Sequence, residues 1–519
     1  MELFKVCAQP PSDDVADLYI RIRSGTVGFE NGDCVLPPDS EISTDTYFNI
    51  FSSSKYGEYT VADEISITTF VSGRIDVQLC SRSDAGEKTV DIRTVDSDVP
   101  EEVCLSFRIN KLDDSKPTCH YLLYRAHDNS TIHSFGSYKS DVSRKDIDLG
   151  IVICTFKREE RVVRNIEKIV SLVSDRTYGL ADKVTVYVVD NGRTLSKDIV
   201  NHDGVVLIPN NNNGGSGGFT KGMIESRMDK KTHILLMDDD IDMDPNVIYK
   251  TFNLISILNG KHKGAFILGG MLLPECPQTQ YEAGAEYLSE FKRGKHMLDL
   301  SEVSALLQND KGEPADYGGW WFMAMPSSAA DELPLPLFIK LDDVEFGTRR
   351  MQDHIVMNGI GIWHDSFESK TNPVTDFYFL RRNLLIFYSL NNKHNGIWVG
   401  VTHIRNMLHC INEGKIIEYI FTRRAVDDFL KGPEFIANTN QEDIIKSYNM
   451  HTDETGYGEI PERKRGMCAR NNVKKIPFRC ILNLFFESFN LAIKWNKTAC
   501  SYRGCTEYLT SLEYWENRQ

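Results

Sequence analysis

The stretch Ile234-Leu-Leu-Met-Asp-Asp-Asp-Ile241 places three consecutive carboxylates directly after a run of apolar residues. Adjacent like charges at the end of a buried strand need a compensating positive charge, and a divalent cation is the simplest one. Alternate residues of an extended strand point to the same side, so Asp238 and Asp240 could share one ion. A solvated acidic turn is the alternative, but the apolar run before the triplet favours a metal site.

Short apolar runs on either side of this stretch alternate with helical patterns. The predicted strands cover 151–156, 184–189, 205–208 and 233–237. Helical spacing of apolar residues follows at 161–174 and, after a glycine-rich turn, at about 219–228. This alternation predicts a mostly parallel, doubly wound sheet. Because ligands of such sheets lie beyond the carboxyl ends of the strands, we expect the polar loops 156–158, 190–193 and 238–240 to converge.

The chain is long enough for more than this central α/β region. It has 519 residues, of which 41% are hydrophobic. Short alternating runs separated by turn residues predict an antiparallel β-sandwich at the front of the chain. Apolar residues at helical spacing predict a helical region at the back. We therefore expect three domains, over 1–147, 148–375 and 376–519.

Charge and apolar patterning exclude several classes of protein. A formal net charge of −15 argues against a general nucleic-acid-binding protein. No apolar stretch is long and continuous enough to span a bilayer, and residues 1–10 have no apolar core typical of a signal peptide. The twelve cysteines are scattered, which favours reduced thiols and a cytoplasmic location.

A glycine-rich stretch, Asn210-Asn-Asn-Asn-Gly-Gly-Ser-Gly-Gly-Phe219, follows the third predicted strand. Glycines let the backbone approach a ligand closely, and a following helix N-terminus attracts anions. The stretch lacks the GK[ST] of a Walker loop and follows too late a strand for the dinucleotide fingerprint. A nucleotide-sugar diphosphate nearby is one interpretation, and a flexible turn is the other.

Three further motifs carry residues suited to sugar chemistry. Asp342 and Asp343 follow an apolar run, where a carboxylate could act as general base or simply favour a helix N-terminus. His364 ends another short apolar run and could complete a metal site or be structural. Trp320 and Trp321, beside glycines, could stack on sugar rings or belong to the core.

Taken in order, these motifs resemble the inverting family 2 glycosyltransferases, most closely the bacterial galactofuranosyltransferases that polymerise cell-wall galactan. The motifs are TFKRE at 155–159, DNGR at 190–193, NNNNGGSGGF at 210–219, MDDDI at 237–241, GGWWF at 318–322, KLDDVEFG at 340–347 and WHD at 363–365. The resemblance covers roughly residues 150–370. It implies an α/β catalytic domain of GT-A type (Rossmann-like), between an N-terminal β-sandwich and a C-terminal, mostly helical region.

The same resemblance implies a reaction and a role for each residue. Galactofuranose would pass with inversion from UDP-galactofuranose to a hydroxyl of a lipid-linked glycan, with Asp343 as the base. Mn²⁺ or Mg²⁺ would be held by Asp238, Asp240 and His364. The UDP-sugar would be held by Arg158, Asp190, Arg193, Asn212 and Asp238, with Asn213 as a substitute for Asn212. The acceptor would be bound by Trp320, Trp321 and Asp342.

Other functions remain open at this point. The same fold could use another nucleotide sugar, such as dTDP-rhamnose. A carbohydrate-binding protein without activity is a second possibility, although the intact acids and His364 argue against it. A nucleotidyltransferase is a third, but the chain has no obvious phosphate-activating lysine motif. A homo-oligomer is compatible with all of them.

The segment 462–503 reverses the acidic balance of the chain. It contains ten basic and two acidic residues, and 481–493 within it is rich in leucine and phenylalanine. A basic, aromatic, amphipathic stretch can lie on an anionic membrane surface. The sequence therefore predicts peripheral association with the inner face of the cell membrane, or else a helix packed on the catalytic domain with a solvated basic face.

Overall fold

The computed structural model describes residues 1–109, 112–198, 201–288, 290–366, 372–413, 415–454 and 478–518. Within these ranges a β-rich region, an α/β region and a helical region follow one another along the chain. Part of the predicted membrane segment, 462–477, lies outside the described residues.

The β-rich region is built on antiparallel pairing. Its elements are β1 (Glu2–Lys5), β2 (Arg21–Ser24), β3 (Gly28–Glu30), β4 (Asp33–Leu36), β5 (Glu41–Ser43), α1 (Ser53–Tyr59), β6 (Glu64–Ser83), β7 (Gly86–Arg108), β8 (Thr118–Ala126) and β9 (Ser130–Ser140). The strands run in the order β2-β5-β8-β6-β9-β4-β3, with β1 against β9 and β7 against β6. Alternate residues of β6, such as Ile75, Val77 and Leu79, are buried, as expected for a sheet with one core face. The antiparallel pairing agrees with the β-rich prediction, and its layering as a sandwich stays a prediction.

The α/β region contains the predicted strand–helix alternation. Its strands are β10 (Leu149–Thr155), β11 (Val184–Asp190), β12 (Val205–Pro209), β13 (His233–Asp238), β14 (Phe266–Leu268), β15 (Gly270–Leu273), β16 (Cys276–Glu282), β17 (Ala285–Tyr287), β18 (Phe291–Arg293), β19 (Leu298–Asp299), β20 (Phe322–Pro326), β21 (His354–Ile355) and β22 (Gly361–Trp363). Its helices are α2 (Glu159–Ser174), α3 (Gly214–Met228), α4 (Asn246–Ser256), α5 (Val303–Asp310) and α6 (Asp342–Arg350).

The main sheet of this region brings three predicted loops to one edge. Its order is β12-β11-β10-β13-β20-β14-β21, and β10 pairs in parallel with both β11 and β13. In that register Thr155 lies opposite Asp190, and Cys154 lies opposite Asp238. The carboxyl ends of β10, β11 and β13 are therefore level, which is the edge where ligands bind in such sheets.

The glycine-rich stretch differs from its prediction as a turn. Helix α3 begins at Gly214, so all four glycines of the stretch lie within the helix. A Cβ at Gly218 would lie 2.1 Å from Cys154 Sγ, and a Cβ at Gly222 would lie 2.1 Å from Val152 Cγ1. The glycines therefore let α3 pack directly against β10, a close approach that outweighs their low helix propensity.

The helical region follows β22. A π-helical segment (Val374–Phe379) leads into α7 (Leu380–Asn391), α8 (Gly396–Asn412), α9 (Ile416–Phe429), α10 (Pro433–Asn438), α11 (Gln441–Glu454), α12 (Phe478–Leu509) and α13 (Leu512–Arg518). The end of the chain packs against the α/β region. There the buried Trp515 donates a hydrogen bond of 2.9 Å through Nε1 to Pro334 O. Within the described ranges, no helix combines the length and the apolar character that crossing a bilayer requires.

The close packing of α3 on β10 predicts that alanine is unfavourable at a glycine in that contact and tolerated at a helical glycine with free space around it. Gly222→Ala should destabilise the fold by about 1–3 kcal/mol, because the added methyl overlaps Val152. Gly504→Ala, in α12 where a Cβ meets nothing within 4 Å, should be neutral or stabilising by up to about 1 kcal/mol. Urea unfolding followed by circular dichroism measures both. Equal stability of the two variants would contradict the close packing.

Candidate functional site

The three predicted metal ligands meet at the end of β13. Ligand atoms of Asp238, Asp240 and His364 all lie within 4.8 Å of one another. His364 Nε2 lies 3.2 Å from Asp240 Oδ1 and 3.7 Å from Asp238 Oδ2. The histidine reaches the aspartates because Trp363, at the end of β22, forms two backbone hydrogen bonds of 2.8 Å with Asp242.

The chemistry of this donor set fits a divalent cation. His364 Nδ1 lies 2.7 Å from Asp365 O, and a carbonyl oxygen only accepts, so Nδ1 donates. In the neutral ring Nε2 then carries a lone pair on the side of the two carboxylates. Burial raises the pKa of Asp238 above its usual range, and the neighbouring Asp240 and Asp239 raise it further despite His364. Two carboxylates and an imidazole are ligands that suit Mn²⁺ and Mg²⁺.

The middle carboxylate of the triplet has a different function. Asp239 Oδ2 accepts a hydrogen bond of 2.7 Å from Thr155 Oγ1, and its Oδ1 lies 2.8 Å from Arg158 Nη1. The same Arg158 nitrogen lies 2.9 Å from Asp240 Oδ2. Asn165 Nδ2 donates to the carbonyls of Asp239 and Ile241, each at 3.1 Å. Asp239 and Asn165 therefore anchor the acidic turn to β10 and α2. Because side chains alternate along a strand end, the sequence could have indicated that Asp239 points away from Asp238 and Asp240.

The residues predicted on the nucleotide side hold their own loops together. Asp190 is buried, and its two carboxylate oxygens accept from the backbone N–H groups of Gly192 at 2.9 Å and Leu195 at 2.8 Å. Arg193 donates to Asn210 O at 3.1 Å, while Asn212 Oδ1 accepts from Gly214 N at 3.2 Å. These residues lie at the same sheet edge as the acidic triplet. Their contacts with a nucleotide sugar stay predictions.

The other candidate asparagine has an unsatisfied donor. Asn213 precedes the first residue of α3, and its Nδ2 is buried without a hydrogen-bond partner in the part of the chain that the structure describes. Because an unmade hydrogen bond in a buried position is costly, such a donor is a candidate for contact with a ligand. The choice between Asn212 and Asn213 therefore stays open.

The predicted base lies at the start of α6. Asp342 is 9% exposed and Asp343 is half-buried. Burial raises the pKa of both carboxyl groups above the usual range, and the charge of Asp343 raises that of Asp342 further. Asp343 Oδ1 accepts from Val344 N at 2.8 Å, which fixes the carboxylate at the helix N-terminus. A carboxyl group with a raised pKa is suited to taking a proton near neutral pH.

A second carboxyl group near Asp343 was not predicted. Glu282, the last residue of β16, is buried and pairs with Arg293 Nε at 3.1 Å. Burial, opposed by Arg293 and reinforced by the charge of Asp343, raises the pKa of Glu282 to about 7. No motif surrounds Glu282 in the sequence, and its approach to Asp343 depends on pairing between distant strands.

The two tryptophans are almost fully buried, at 4% and 5% exposure. Trp320 packs edge-to-face on Phe219 and Phe346, with ring centroids 5.1 and 5.9 Å away. Trp321 Nε1 donates to Gly269 O at 3.0 Å. Trp320 thus packs between α3 and α6, as the core interpretation expects, and contact of either ring with an acceptor stays a prediction.

Comparison with known proteins agrees with this geometry. Residues 150–259 match the model of glycosyl transferase family 2. Galactofuranosyltransferase GlfT2 of Mycolicibacterium smegmatis is 28% identical over 442 residues, which cover 76% of this chain and 65% of that protein. The GlfT2 of Mycobacterium tuberculosis is 26% identical over 440 residues, covering 77% of this chain and 66% of that protein. The chain thus spans just under two thirds of the length of these curated relatives.

Among solved structures, mannosyl-3-phosphoglycerate synthase from Rubrobacter xylanophilus is 11% identical over 42% of this chain and 67% of its own, with a TM-score of 0.26. A similarity of that size supports no conclusion. The sequence relatives confirm the resemblance inferred from the motifs: the chain is similar to galactofuranosyltransferases, and its residues 150–259 match the glycosyl transferase family 2 model.

Proposed function

We propose that the chain is an inverting, metal-dependent galactofuranosyltransferase that transfers galactofuranose from UDP-galactofuranose to a hydroxyl group of a lipid-linked glycan. The observation that carries this proposal is the Asp238–Asp240–His364 cluster at the carboxyl edge of a family 2 domain. The donor sugar is inferred from the names of the two relatives.

Inversion requires the acceptor hydroxyl to attack the anomeric carbon in line with the departing UDP. Asp343 accepts the hydroxyl proton as the new glycosidic bond forms, and the bond to the diphosphate oxygen breaks on the opposite side. The N–H of Val344 fixes the orientation of the carboxylate during this transfer. No covalent bond between enzyme and sugar is needed.

The diphosphate is the part of the donor that gains charge when the sugar leaves. A cation held by Asp238, Asp240 and His364 would supply the positive charge that stabilises it. Arg158, whose side chain is 45% exposed beside this cluster, presents a guanidinium group to the same region. Asp190, Arg193 and Asn212 would hold the nucleotide, and Asp342 with Trp320 and Trp321 would line the acceptor side.

The three-domain division and the membrane contact belong to the same proposal. The catalytic domain would cover 148–375, between a β-sandwich (1–147) and a helical domain (376–519). Large apolar side chains are exposed on two adjacent helices: Ile397, Trp398 and Val401 of α8, and Phe485, Phe486, Phe489 and Ile493 of α12. The exposed lysines 494 and 497 continue α12 beside them. Such a face fits an anionic membrane surface, where a lipid-linked acceptor would be found.

The base assignment predicts a selective loss of transfer. Asp343→Asn should lower kcat by about 10²–10⁴-fold, because the acceptor proton has no base, while the affinity for UDP-galactofuranose stays within about twofold. UDP release with Mn²⁺ and a glycan acceptor measures kcat, and calorimetry measures donor binding. In the wild type, kcat should fall as pH decreases through a pKa above the usual range of aspartate, because protonated Asp343 cannot accept a proton.

Two controls accompany this experiment. Asp331→Asn alters an aspartate that pairs with Arg227 away from the site, and it should transfer normally. A parallel donor arm with dTDP-rhamnose tests the sugar nucleotide. Normal turnover by Asp343→Asn would refute the assignment of Asp343 as the base. Transfer from dTDP-rhamnose but not from UDP-galactofuranose would refute the proposed donor.

The Asp238–Asp240–His364 cluster predicts that the affinity for a metal ion depends on Asp240 and His364. Asp240→Asn and His364→Ala should each weaken Mn²⁺ binding by at least about tenfold, because each removes a ligand. Electron paramagnetic resonance of free Mn²⁺ during a titration measures the affinity without requiring turnover. Asp242→Asn, two residues further along and half-exposed, is the matched control. Equal affinity in Asp240→Asn and Asp242→Asn would remove Asp240 from the ligand set.

The exposed apolar face predicts binding to anionic vesicles. Replacing Phe486 and Phe489 by serine should reduce co-sedimentation with phosphatidylglycerol vesicles several-fold, because their burial in the headgroup region is lost. Tyr508→Ser, a similarly exposed aromatic on α12, is the control. Equal sedimentation of all three proteins would contradict membrane contact through this face.

A further inference from the structure

The loop that precedes α6, the helix that carries the proposed base, has an unusual backbone conformation. Phe338, Lys340 and Leu341 have φ angles of 73°, 68° and 66°. This left-handed region is unfavourable for residues with a Cβ, and three such residues within four positions are rare. Strained conformations persist only where the surrounding structure fixes them. We refer to residues 337–341 as the strained loop.

Two buried side chains of α7 hold the carbonyl groups of this loop. Asn383 Nδ2 lies 2.9 Å from both Ile339 O and Lys340 O, and 3.2 Å from Leu337 O. Arg382 Nη2 donates to Leu337 O at 3.0 Å. Both side chains are fully buried. We call Arg382 and Asn383 together the carbonyl clamp.

Neighbouring groups fix the orientation of the clamp. Asn383 Oδ1 accepts from Arg382 Nε at 3.0 Å and Nη2 at 2.9 Å, so its amide nitrogen must face the strained loop. Arg382 Nη1 donates in turn to Gln441 Oε1 of α11. The opposite side of the loop is held by Ser216 of α3, whose Oγ accepts from Phe338 N at 2.9 Å.

The strained loop leads directly into the proposed base. Helix α6 begins at Asp342, and its first turn includes a hydrogen bond of 3.0 Å from Glu345 N to Leu341 O. Any movement of Lys340 and Leu341 therefore moves the carboxylate of Asp343. A displacement of about 1 Å at a reacting group can reduce a rate by about 10²-fold.

We propose that Asn383, supported by Arg382, is a positioning residue for Asp343, through which the helical region takes part in catalysis. The proposal rests on the proposed function for the identity of the base. The buried amide of Asn383 and guanidinium of Arg382 would stabilise the backbone of the strained loop, which would otherwise relax out of the left-handed region. The clamp acts through its hydrogen bonds to the loop, with Gln441 supporting Arg382, so neither residue needs to contact a substrate.

The first test compares two asparagines on the same helix. Asn383→Ala should lower kcat by about 10–100-fold per folded molecule, with the KM for UDP-galactofuranose within about twofold. Asn391→Ala is the matched control, because Asn391 Nδ2 donates to Phe387 O on its own helix at 2.9 Å and does not reach the loop. A structural role alone would lower the folded fraction, which Mn²⁺-binding stoichiometry measures, and would leave kcat per folded molecule unchanged.

The pH profile gives a second readout of position. The raised pKa of Asp343 depends on its burial, so release of the loop should move the acid limb of kcat in Asn383→Ala toward lower pH. The acid limb of Asn391→Ala should coincide with that of the wild type. An unchanged limb together with an unchanged kcat in Asn383→Ala would overturn the proposal.

A rescue experiment tests the strain directly. Glycine adopts the left-handed region without cost, whereas alanine does not. In the Asn383→Ala background, Lys340→Gly should therefore restore kcat at least about threefold relative to Lys340→Ala, since both remove the ammonium group that pairs with Asp376. Equal rates for the two double variants would show that strain at residue 340 is not what the clamp resists.

Amide hydrogen exchange separates this proposal from the proposed function. Peptides covering 336–348 should exchange at least about tenfold faster in Asn383→Ala than in Asn391→Ala, whether or not any donor is turned over. Faster exchange without turnover by the wild type would support the clamp and refute the function. Normal turnover with equal exchange in both variants would refute the clamp and leave the function standing.

Discussion

Repulsion among three adjacent carboxylates at the end of β13 is the constraint around which the rest of the site is arranged. The backbone alternation separates the three side chains into two environments. Asp239 turns toward β10, where Thr155 donates a hydrogen bond to it and Arg158 supplies a positive charge that it shares with Asp240. Asp238 and Asp240 face His364 on the other side, where a cation can complete the charge balance. Removing Arg158 would leave the buried Asp239 and Asp240 without their shared positive charge, and an uncompensated buried charge is among the costliest defects in a fold.

The level ends of β10, β11 and β13 make this arrangement possible. The glycines of α3 bring a further element, the start of α6, close to the same edge. Because Gly218 and Gly222 carry no Cβ, α3 lies directly on β10, and its first residues come close to α6. A Cβ at Gly215 would lie 3.2 Å from Asp342 Oδ2, so α3 and the start of α6 are in contact. The glycines thus help to fix the distance between the acidic triplet and the proposed base.

The sequence predicted the parts of the site that depend on local pattern. Alternation at a strand end identified Asp238 and Asp240, and the run before His364 indicated its strand. Asp239 was missed although the same alternation separates it from its neighbours. Glu282 and the carbonyl clamp could not be predicted, since neither lies in a motif. Glu282 comes near Asp343, and the clamp reaches the loop before it, through pairing and packing between distant segments. The glycine stretch was interpreted as a turn because helix propensity is a local quantity, whereas the close packing of Gly218 on Cys154 is not.

Residues of one type acquire different chemistry here through their partners. Asp238 and Asp240 lie beside an imidazole and a guanidinium group, and a cation bound by the two carboxylates would add further positive charge there. Asp343 is half-buried at a helix N-terminus, and its burial raises its pKa although the charge of Lys340 opposes the shift. That contrast requires Asp343 to be held at a fixed position. In our proposal the strained loop provides it, because its left-handed backbone leads directly into α6 while the clamp prevents the loop from relaxing.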